Sequence, residues 1–210
     1  MKVFIDFDDV IFNTKKFSID LKLFFNDNGV SDDLFRKHYY APGDDNPVKL
    51  FDPNGLFLRL EEKEKIDATK LRNDFTKHIK NLSSFVFDDV FDFLGDIGKE
   101  NVFIISFGLP SFQNEKIIGA GVNKFVNGCI VTSGSKAEAI RQVMAEMKIS
   151  EDEKFVFIDD RIEQIQDIKI AFPNALTFLL SRNDGRYNDS QNEYCDYSVT
   201  NLKEVHRIII

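Results

Sequence analysis

Acidic residues follow two separate apolar runs in the 210-residue sequence, at residues 2–6 and 154–159. The carboxylates at the ends of these runs belong to Asp6, Asp8, Asp9, Asp159 and Asp160. Because the carboxyl ends of parallel strands form the ligand crevice of an open α/β sheet, we expect these side chains to face one crevice. Their mutual repulsion is costly unless a cation is present. Oxygen ligands without a nearby histidine or cysteine pair favour Mg²⁺ over zinc.

A hydroxyl and a lysine are placed where they could bind an anion at the same edge. Ser106, Phe107 and Gly108 follow the apolar run that starts at residue 101, and they offer a hydroxyl and backbone N–H groups to phosphate oxygens. Lys136 stands in the first turn of a predicted helix, where a cation opposes the helix dipole. A bound phosphate and acidic neighbours would reverse that unfavourable interaction. These residues therefore predict a phosphate site.

The same residues also have structural interpretations. Asp8 and Asp9 could cap the helix that follows the first strand, since aspartate is common at such turns. Lys136 could be a solvated surface lysine, because most lysines are exposed. The catalytic interpretation requires the ends of the predicted strands to converge.

Strand-like and helix-like segments alternate along most of the sequence. Buried strands are predicted from short apolar runs at residues 2–6, 101–106, 125–131, 154–159 and 175–180. Helices are predicted between them at residues 112–120, 136–147 and 162–172. The second of these helices has a clear start, since Ser135 and Glu138 form a capping-box pattern. The fold class is therefore α/β with a doubly wound parallel sheet.

Residues 15–82 interrupt this alternation, and we interpret them as a small α-helical cap inserted after strand 1. They are polar, and a one-sided helical pattern runs from residue 60 to 82. A turn-rich stretch at residues 41–47 separates the helical parts. The remaining segments, 1–14 and 83–210, are assigned to the core domain.

The sequence Asp6-Phe7-Asp8-Asp9-Val10, with Ser106, Lys136 and Asp159-Asp160, resembles in order and context the four motifs of the haloacid dehalogenase-like hydrolases. The resemblance spans nearly the whole chain except the insertion. Its most specific part is the Asp-x-Asp-x-Val motif directly after an N-terminal strand. The sequence departs from the pattern at Asp9, where many relatives have glycine, and at Val10, where many have threonine. Neither departure removes a group that the reaction needs.

The resemblance implies a Rossmann-like core with a C1-type helical cap and a Mg²⁺-dependent phosphatase reaction. Asp6 would be the nucleophile that forms an aspartyl-phosphate, and Asp8 would protonate the leaving oxygen and then activate water. By the same resemblance, the metal would be held by the Asp6 side chain, the Asp8 backbone carbonyl and the pair Asp159-Asp160, with Asp160 as a direct ligand. The phosphoryl oxygens would be bound by Ser106, Phe107, Gly108 and Lys136. An aspartate at position 8 favours phosphatase or phosphomutase chemistry, because halide-displacing relatives lack it.

The composition limits the partners and the compartment. A net charge of −8 and a pI near 5.0 argue against nucleic acid or an anionic membrane as the main partner. The two cysteines provide no disulfide framework, and no signal peptide or membrane-length apolar run is evident. We expect a cytoplasmic protein whose partner is a small phosphorylated metabolite, with the oligomeric state open.

Three alternatives remain at this point. A phosphomutase would use the same residues, since access of water depends on the cap. A receiver-like signalling domain also combines acidic residues, Mg²⁺, a hydroxyl and a lysine, but its phospho-acceptor ends the third strand, where residues 125–131 contain no aspartate. A catalytically idle relative is the third.

Two further segments were considered for contact with substrate. The basic-aromatic residues 36–40 could touch a sugar or base, and the polar loop at 182–193 suggests no chemistry.

Overall fold

The computed structural model of the protein describes residues 1–40 and 50–210. The predicted turn-rich stretch at residues 41–47 lies outside the described residues. Within the described parts of the chain, no helix is both long and apolar enough to cross a lipid bilayer.

The centre of the fold is a six-stranded sheet in which every neighbouring pair is parallel. Its strands are β1 (Lys2–Ile5), β2 (Val102–Phe107), β3 (Gly128–Thr132), β4 (Phe155–Asp159), β5 (Leu176–Leu180) and β6 (Tyr197–Val199). The order across the sheet is β3-β2-β1-β4-β5-β6. Strand β1 thus lies between β2 and β4, so the carboxyl ends of these three strands are neighbours. The five strands predicted from apolar runs are all present, and β6 was not predicted.

Nine α-helices connect or follow these strands in the described residues. They are α1 (Thr14–Asp27), α2 (Asp32–Tyr39), α3 (Pro53–Glu64), α4 (Thr69–Ile79), α5 (Val90–Ile97), α6 (Pro110–Ala120), α7 (Lys136–Glu146), α8 (Ile162–Ala171) and α9 (Leu202–Ile209). Short 3₁₀ turns occur at Ser83–Phe85, Lys99–Asn101 and Val122–Phe125. The predicted helices at 112–120, 136–147 and 162–172 correspond to α6, α7 and α8.

Helices pack against both faces of the sheet. Successive side chains of a strand point to opposite faces, so each strand contributes apolar side chains to both layers. Val3 and Ile5 of β1 pack with apolar residues of α5, α6 and α9 on one face. Phe4 points to the other face and packs with α7 and α8. This layered arrangement confirms the predicted α/β class with a doubly wound parallel sheet.

Helices α1 to α4 form the insertion between β1 and α5, and their apolar core continues into one face of the sheet. Phe17, Phe25 and Phe75 belong to the same buried cluster as Ile5. The one-sided pattern predicted over residues 60–82 is divided between two helices, which the prediction did not anticipate. The division occurs at Lys65, which has a left-handed backbone with φ of 58° and whose N–H donates to the Leu60 carbonyl.

Backbone contacts hold the base of the insertion against the core. The Asn13 N–H donates to the Phe85 carbonyl at 2.7 Å, and the Leu82 N–H donates to the Gly119 carbonyl of α6 at 2.9 Å. A Cβ atom on Gly119 would lie 1.9 Å from the Ile79 carbonyl oxygen at the end of α4. The close approach of α4 to α6 therefore depends on glycine at this position.

Candidate active site

The central position of β1 brings two of the predicted acidic groups to one place. Asp6 directly follows β1, and its N–H donates to the Ile158 carbonyl of β4 at 2.9 Å. Asp159 is the last residue of β4, and Asp160 follows it. All three aspartates are buried. The predicted convergence of the two acidic strand ends is therefore present.

Lys136 lies between two of these carboxylates. Its Nζ atom is 2.7 Å from Asp6 Oδ1 and 2.7 Å from Asp159 Oδ2. It is the first residue of α7, whose N-cap is Ser135, as the capping box predicted. The lysine is buried, so it is not a solvated surface side chain. Burial favours the neutral amine, but the two carboxylates outweigh it and hold the pKa of Lys136 above its usual value.

Asp6, Asp159 and Asp160 could hold a metal ion together. Each offers an oxygen, and these three atoms lie within 4.8 Å of one another. Asp160 Oδ2 is buried without a hydrogen-bond partner in the described residues. Burial, followed by repulsion from neighbouring aspartates, raises the pKa of Asp160 to about 9. Burial likewise raises the pKa of Asp6 to about 7, although Lys136 opposes it. A cluster of hard oxygen donors with a buried, unpaired carboxylate oxygen fits Mg²⁺.

Asp8 is turned towards α1 and α6, which together supply three donors to its carboxylate. Oδ1 accepts from Lys116 Nζ at 2.7 Å and from the Thr14 hydroxyl at 2.5 Å, and Oδ2 accepts from Gln113 Nε2 at 2.7 Å. Burial works to raise the pKa of Asp8, but Lys116 and the Thr14 hydrogen bond lower it below its usual value. The ionised form of Asp8 is thus favoured in this arrangement, whereas Asp6 and Asp160 tend to retain protons in the absence of metal.

Ser106 and Gly108 are at the predicted edge, but both already have partners. The Ser106 hydroxyl oxygen accepts from Gln113 Nε2 at 2.8 Å. The Gly108 N–H donates to the Thr132 carbonyl at 3.0 Å, so this N–H is not available to a phosphate in this arrangement. Phe107 lines the cavity beside Asp6. Ser106 itself is buried and is not among the residues that line this cavity, so its contact with phosphate stays a prediction.

Neither Asp8 nor Asp9 caps α1, which excludes the simple structural interpretation of the motif. The N-cap is Asn13, whose side chain accepts from the Lys16 N–H at 2.8 Å. Asp9 is buried, has a left-handed backbone with φ of 57°, and accepts from Arg186 Nε at 2.5 Å. The left-handed backbone explains why a glycine would also suit this position.

The loop at residues 182–193, predicted to carry no chemistry, contributes directly to the site. Arg186 and Tyr187 line the same cavity as Asp6 and Asp160. The Arg161 guanidinium lies 4.1 Å from the Tyr187 ring centroid, which helps to fix that ring. No local sequence pattern identifies these residues, because they reach the site only through the path that the chain takes after β5.

Lys116 and Gln113 are the other residues that the sequence analysis missed, although a signal was present. Lys116 lies four positions from both Phe112 and Ala120, on the apolar face of a predicted helix. A lysine on such a face requires a partner, and in the structure it is buried against Asp8 and the rings of Phe7 and Phe12.

Two adjoining cavities extend from the acidic cluster. The catalytic cavity has a volume of about 160 Å³ and contains Asp6, Lys136, Asp159 and Asp160 in its wall. The second cavity, about 310 Å³, lies between the insertion and the sheet, and we call it the cap-core cleft. The residues that line both cavities are Asp8, Phe107, Arg186 and Tyr187.

The basic-aromatic residues 36–40 divide between two environments. His38 is buried and lies 2.7 Å from Glu64, and Lys37 pairs with the same glutamate. Arg36 pairs with Asp32 on the helix surface. Tyr39 and Tyr40, however, line the cap-core cleft. Only part of this predicted cluster is therefore placed near the site.

Comparison with known proteins gives matches to solved structures only, since no family model and no curated protein matches the chain. A haloacid dehalogenase-like hydrolase from Burkholderia xenovorans LB400 superposes with a TM-score of 0.71 at 19% identity, covering 98% of this chain and 94% of that one. The HAD-hydrolase YfnB from Bacillus subtilis, solved bound to magnesium, gives a TM-score of 0.61 at 15% identity, covering 99% and 97%.

A third structure with a similar fold is a dehalogenase. The L-2-haloacid dehalogenase from Xanthobacter autotrophicus, with chloropropionic acid covalently bound, gives a TM-score of 0.61 at 12% identity and covers 99% of this chain and 97% of its own. At such identities the similarity establishes the fold and leaves the reaction to be argued from the site.

Proposed function

We propose, from the premise that this chain has the haloacid dehalogenase-like fold, that it is a Mg²⁺-dependent hydrolase of a small-molecule phosphomonoester. The observation that carries the proposal is the position of Lys136 between Asp6 and Asp159, beside the unpaired Asp160 carboxylate. Phosphoryl transfer mainly requires in-line positioning and stabilisation of negative charge. A carboxylate nucleophile beside a lysine and a metal site meets both requirements.

The reaction would proceed in two displacements. In the first, an Asp6 carboxylate oxygen attacks phosphorus, the bond to the leaving oxygen breaks, and protonated Asp8 gives its proton to that oxygen. In the second, a water attacks phosphorus while Asp8, now a carboxylate, takes a proton from it. The bond between Asp6 and phosphorus then breaks, which releases inorganic phosphate and regenerates Asp6 with protonated Asp8.

Other residues would neutralise charge and hold the phosphoryl group. Bound Mg²⁺ would be held by Asp6, the Asp8 backbone carbonyl, Asp159 and Asp160, and it would supply charge stabilisation to the phosphoryl oxygens. Lys136 can donate to a phosphoryl oxygen while it remains paired with Asp159. The Ser106 hydroxyl can donate to another oxygen, since its own oxygen accepts from Gln113.

Asp8 favours hydrolysis of a phosphomonoester over displacement of a halide. A halide leaves as a stable anion and needs no proton, whereas an alkoxide leaving group does. A carboxylate held by Lys116, Thr14 and Gln113 is an elaborate arrangement for a residue without a role in proton transfer. This residue therefore supports hydrolysis of a phosphomonoester, although a dehalogenase has a similar fold.

Two of the three alternatives from the sequence, the receiver-like domain and the phosphomutase, are distinguished by different observations. A receiver-like domain has the strand order 2-1-3-4-5, which differs from the order β3-β2-β1-β4-β5-β6 in this chain. A phosphomutase would share the residues of the site, and it would be recognised by an isomeric phosphorylated product without release of inorganic phosphate.

The test is a screen of phosphomonoesters with purified protein, in the presence and absence of Mg²⁺, with release of inorganic phosphate as the measurement. We expect Mg²⁺-dependent turnover by the wild type and near-complete loss in Asp6→Asn and Asp8→Asn. Asp88→Asn is the matched control, because Asp88 is exposed and lies outside both cavities. Undiminished turnover by Asp6→Asn would refute the nucleophile assignment.

A further inference from the structure

Gln113 of α6 connects two groups of the proposed reaction through a single nitrogen atom. Its Nε2 atom donates to Asp8 Oδ2 at 2.7 Å and to the Ser106 hydroxyl oxygen at 2.8 Å. An amide nitrogen has two N–H donors, so both are used. Gln113 and Ser106 are buried, and water therefore has little access to replace either hydrogen bond.

Lys116 determines which way the Gln113 amide faces. Its Nζ atom donates to Gln113 Oε1 at 3.2 Å and to Asp8 Oδ1 at 2.7 Å. An ammonium group can only donate hydrogen bonds, and an ionised carboxylate can only accept them. If the amide were reversed, its nitrogen would face the ammonium and its oxygen would face the carboxylate. The three side chains thus form a closed ring of hydrogen bonds that permits one amide orientation.

The two carboxylate oxygens of Asp8 differ in how many hydrogen bonds they accept. Each oxygen of a carboxylate offers about two acceptor sites. Oδ1 accepts from Lys116 and from the Thr14 hydroxyl, so both of its sites are filled. Oδ2 accepts from Gln113 alone among the residues that the structure describes. A proton on Asp8 therefore belongs on Oδ2, at the site that Gln113 leaves open.

We propose that Gln113 is a positioning residue for proton transfer, which holds Asp8 so that Oδ2 is the atom that exchanges the proton with substrate and water. The inference rests on the proposed phosphatase reaction. In the first displacement, the proton passes from Oδ2 to the leaving oxygen as the bond between that oxygen and phosphorus breaks. In the second, the attacking water gives a proton back to Oδ2. Gln113 itself neither gains nor loses a proton.

The two contacts of Gln113 predict different kinetic effects. A disturbed Ser106 would lower kcat/KM for every phosphomonoester alike, because all of them share the phosphoryl group. A misplaced Asp8 would lower it most for substrates whose leaving oxygen must be protonated. An alkoxide requires that proton, whereas a nitrophenolate leaves readily without it because its charge is delocalised. Dependence on the leaving group therefore separates positioning of Asp8 from a general structural effect.

The test compares Gln113→Met with the wild type on benzyl phosphate and 4-nitrophenyl phosphate, with Mg²⁺ and at the optimum pH of each enzyme. Methionine keeps the length of the side chain and removes the amide. We expect kcat/KM to fall about 100-fold for benzyl phosphate and less than about tenfold for 4-nitrophenyl phosphate. The ratio of the nitrophenyl value to the benzyl value should therefore rise at least about tenfold. A loss of folded protein would not change this ratio.

Two further variants complete the comparison. Gln113→Asn keeps an amide on a side chain that is one methylene shorter, so its nitrogen is withdrawn from Asp8 and the ratio should rise as well. It also supplies the measurement if methionine prevents folding. Gln142→Met is the matched control, because Gln142 is exposed on α7 and lines neither cavity. Its ratio should equal that of the wild type.

The outcomes separate this inference from the proposed function. An unchanged ratio in either Gln113 variant, including an equal loss on both substrates, would overturn the positioning role and leave the phosphatase reaction standing. A wild type that hydrolyses 4-nitrophenyl phosphate but not benzyl phosphate would also overturn it, because no proton would then reach the leaving oxygen. Absence of Mg²⁺-dependent turnover of any phosphomonoester would overturn the proposed function and the inference together.

Discussion

Individual carboxylates in the site differ in proton affinity because their neighbours differ. Burial among other aspartates raises the pKa values of Asp6 and Asp160. Asp8, only two residues from Asp6, has a lowered pKa because Lys116 and Thr14 outweigh its burial. Carboxylates whose environments move their pKa values apart commonly take different roles in a reaction. A bound cation would favour the ionised form of Asp6, which a nucleophile requires, and the ionised form of Asp8 suits the base that takes a proton from water in the second displacement.

Replacing Lys116 should move the pH profile of the reaction to higher pH. Lys116 stabilises the ionised form of Asp8, so Lys116→Met should raise the pKa of Asp8 and keep it protonated at higher pH. The alkaline limb of the kcat/KM profile for an alkyl phosphate should shift upwards by about one to three pH units. Lys116→Arg should retain the wild-type profile, as should Lys124→Met, which changes an exposed lysine. An alkaline limb that stays in place in Lys116→Met would argue against Asp8 as the acid.

Mg²⁺ should stabilise the protein more at pH 8 than at pH 6. The pKa values of Asp6 and Asp160 rise from 3.8 to about 7 and about 9 on folding, so the metal-free folded state holds these protons more tightly than the unfolded chain. Stability from these two groups therefore falls as the pH rises from about 4 to about 9. A cation binds the ionised forms of Asp6 and Asp160 and competes with protons for them. The rise in Tm that Mg²⁺ causes should therefore grow as the pH increases over this range.

Thermal unfolding with and without Mg²⁺ checks this expectation. Asp160→Asn should lose most of the Mg²⁺-induced rise in Tm, whereas Asp88→Asn should retain it. Equal stabilisation at both pH values would contradict the assignment of these carboxylates as the metal site.

Among the elements, α6 links the insertion to the reaction centre. One part of this helix presents Gln113 and Lys116 to Asp8. A later turn contains Gly119, whose lack of a side chain allows α4 to approach closely. Phe112 near the start of the helix contacts the rings of Phe51 and Phe75 in the insertion. Movement of α6 would therefore disturb both Asp8 and the cap-core cleft.

A pair of glycine substitutions tests the packing of α6 against α4. Gly119→Ala should destabilise the protein by about 1–3 kcal/mol, because its Cβ would overlap the Ile79 carbonyl oxygen and force the two helices apart. Gly95→Ala in α5 is the control, since no atom lies within 4 Å of its added Cβ. It should stabilise the protein by about 0.5–1 kcal/mol, because alanine favours a helix interior over glycine. Urea unfolding measures the free energy of unfolding of both variants. A Gly119→Ala variant as stable as the wild type would show that α4 can move away from α6 without cost.

For the molecule as a whole, the continuous apolar cluster predicts cooperative unfolding. The buried rings of the insertion and one face of the sheet belong to one cluster, so neither can lose its packing without exposing the other. Differential scanning calorimetry should therefore show one transition with equal calorimetric and van't Hoff enthalpies. Two resolved transitions would show that the insertion is independently stable, in agreement with the predicted domain division at residues 14 and 82.

The sequence predicted the parts of the fold that have a strong local pattern. Strands β1 to β5 follow short apolar runs, and α7 begins at the residue that the capping box of Ser135 indicates. Strand β6 was missed because it has three residues, two of them exposed. The break between α3 and α4 was missed because it occurs at Lys65, a residue type that gives no turn signal.

The candidate site was predictable wherever residues immediately follow a buried strand. Asp6 and Asp159 meet because β1 and β4 are adjacent, and Ser106 lies near the end of β2 on the other side of β1. Arg186 could not be predicted, since its distance in sequence from Asp9 gives no indication of contact. Lys116 could have been found from its place on an apolar helix face, but its partner depends on how α6 packs against the loop after β1.

The central position of β1 has a consequence for synthesis of the protein. Along the chain this strand precedes both of its neighbours, which begin only at Val102 and Phe155. A growing chain therefore exposes the apolar residues of β1 with both edges unpaired, which favours aggregation unless a chaperone shields them. Asp6 can join Asp159 and Asp160 only after β4 has left the exit tunnel, so the acidic cluster forms long after its first member has been synthesised.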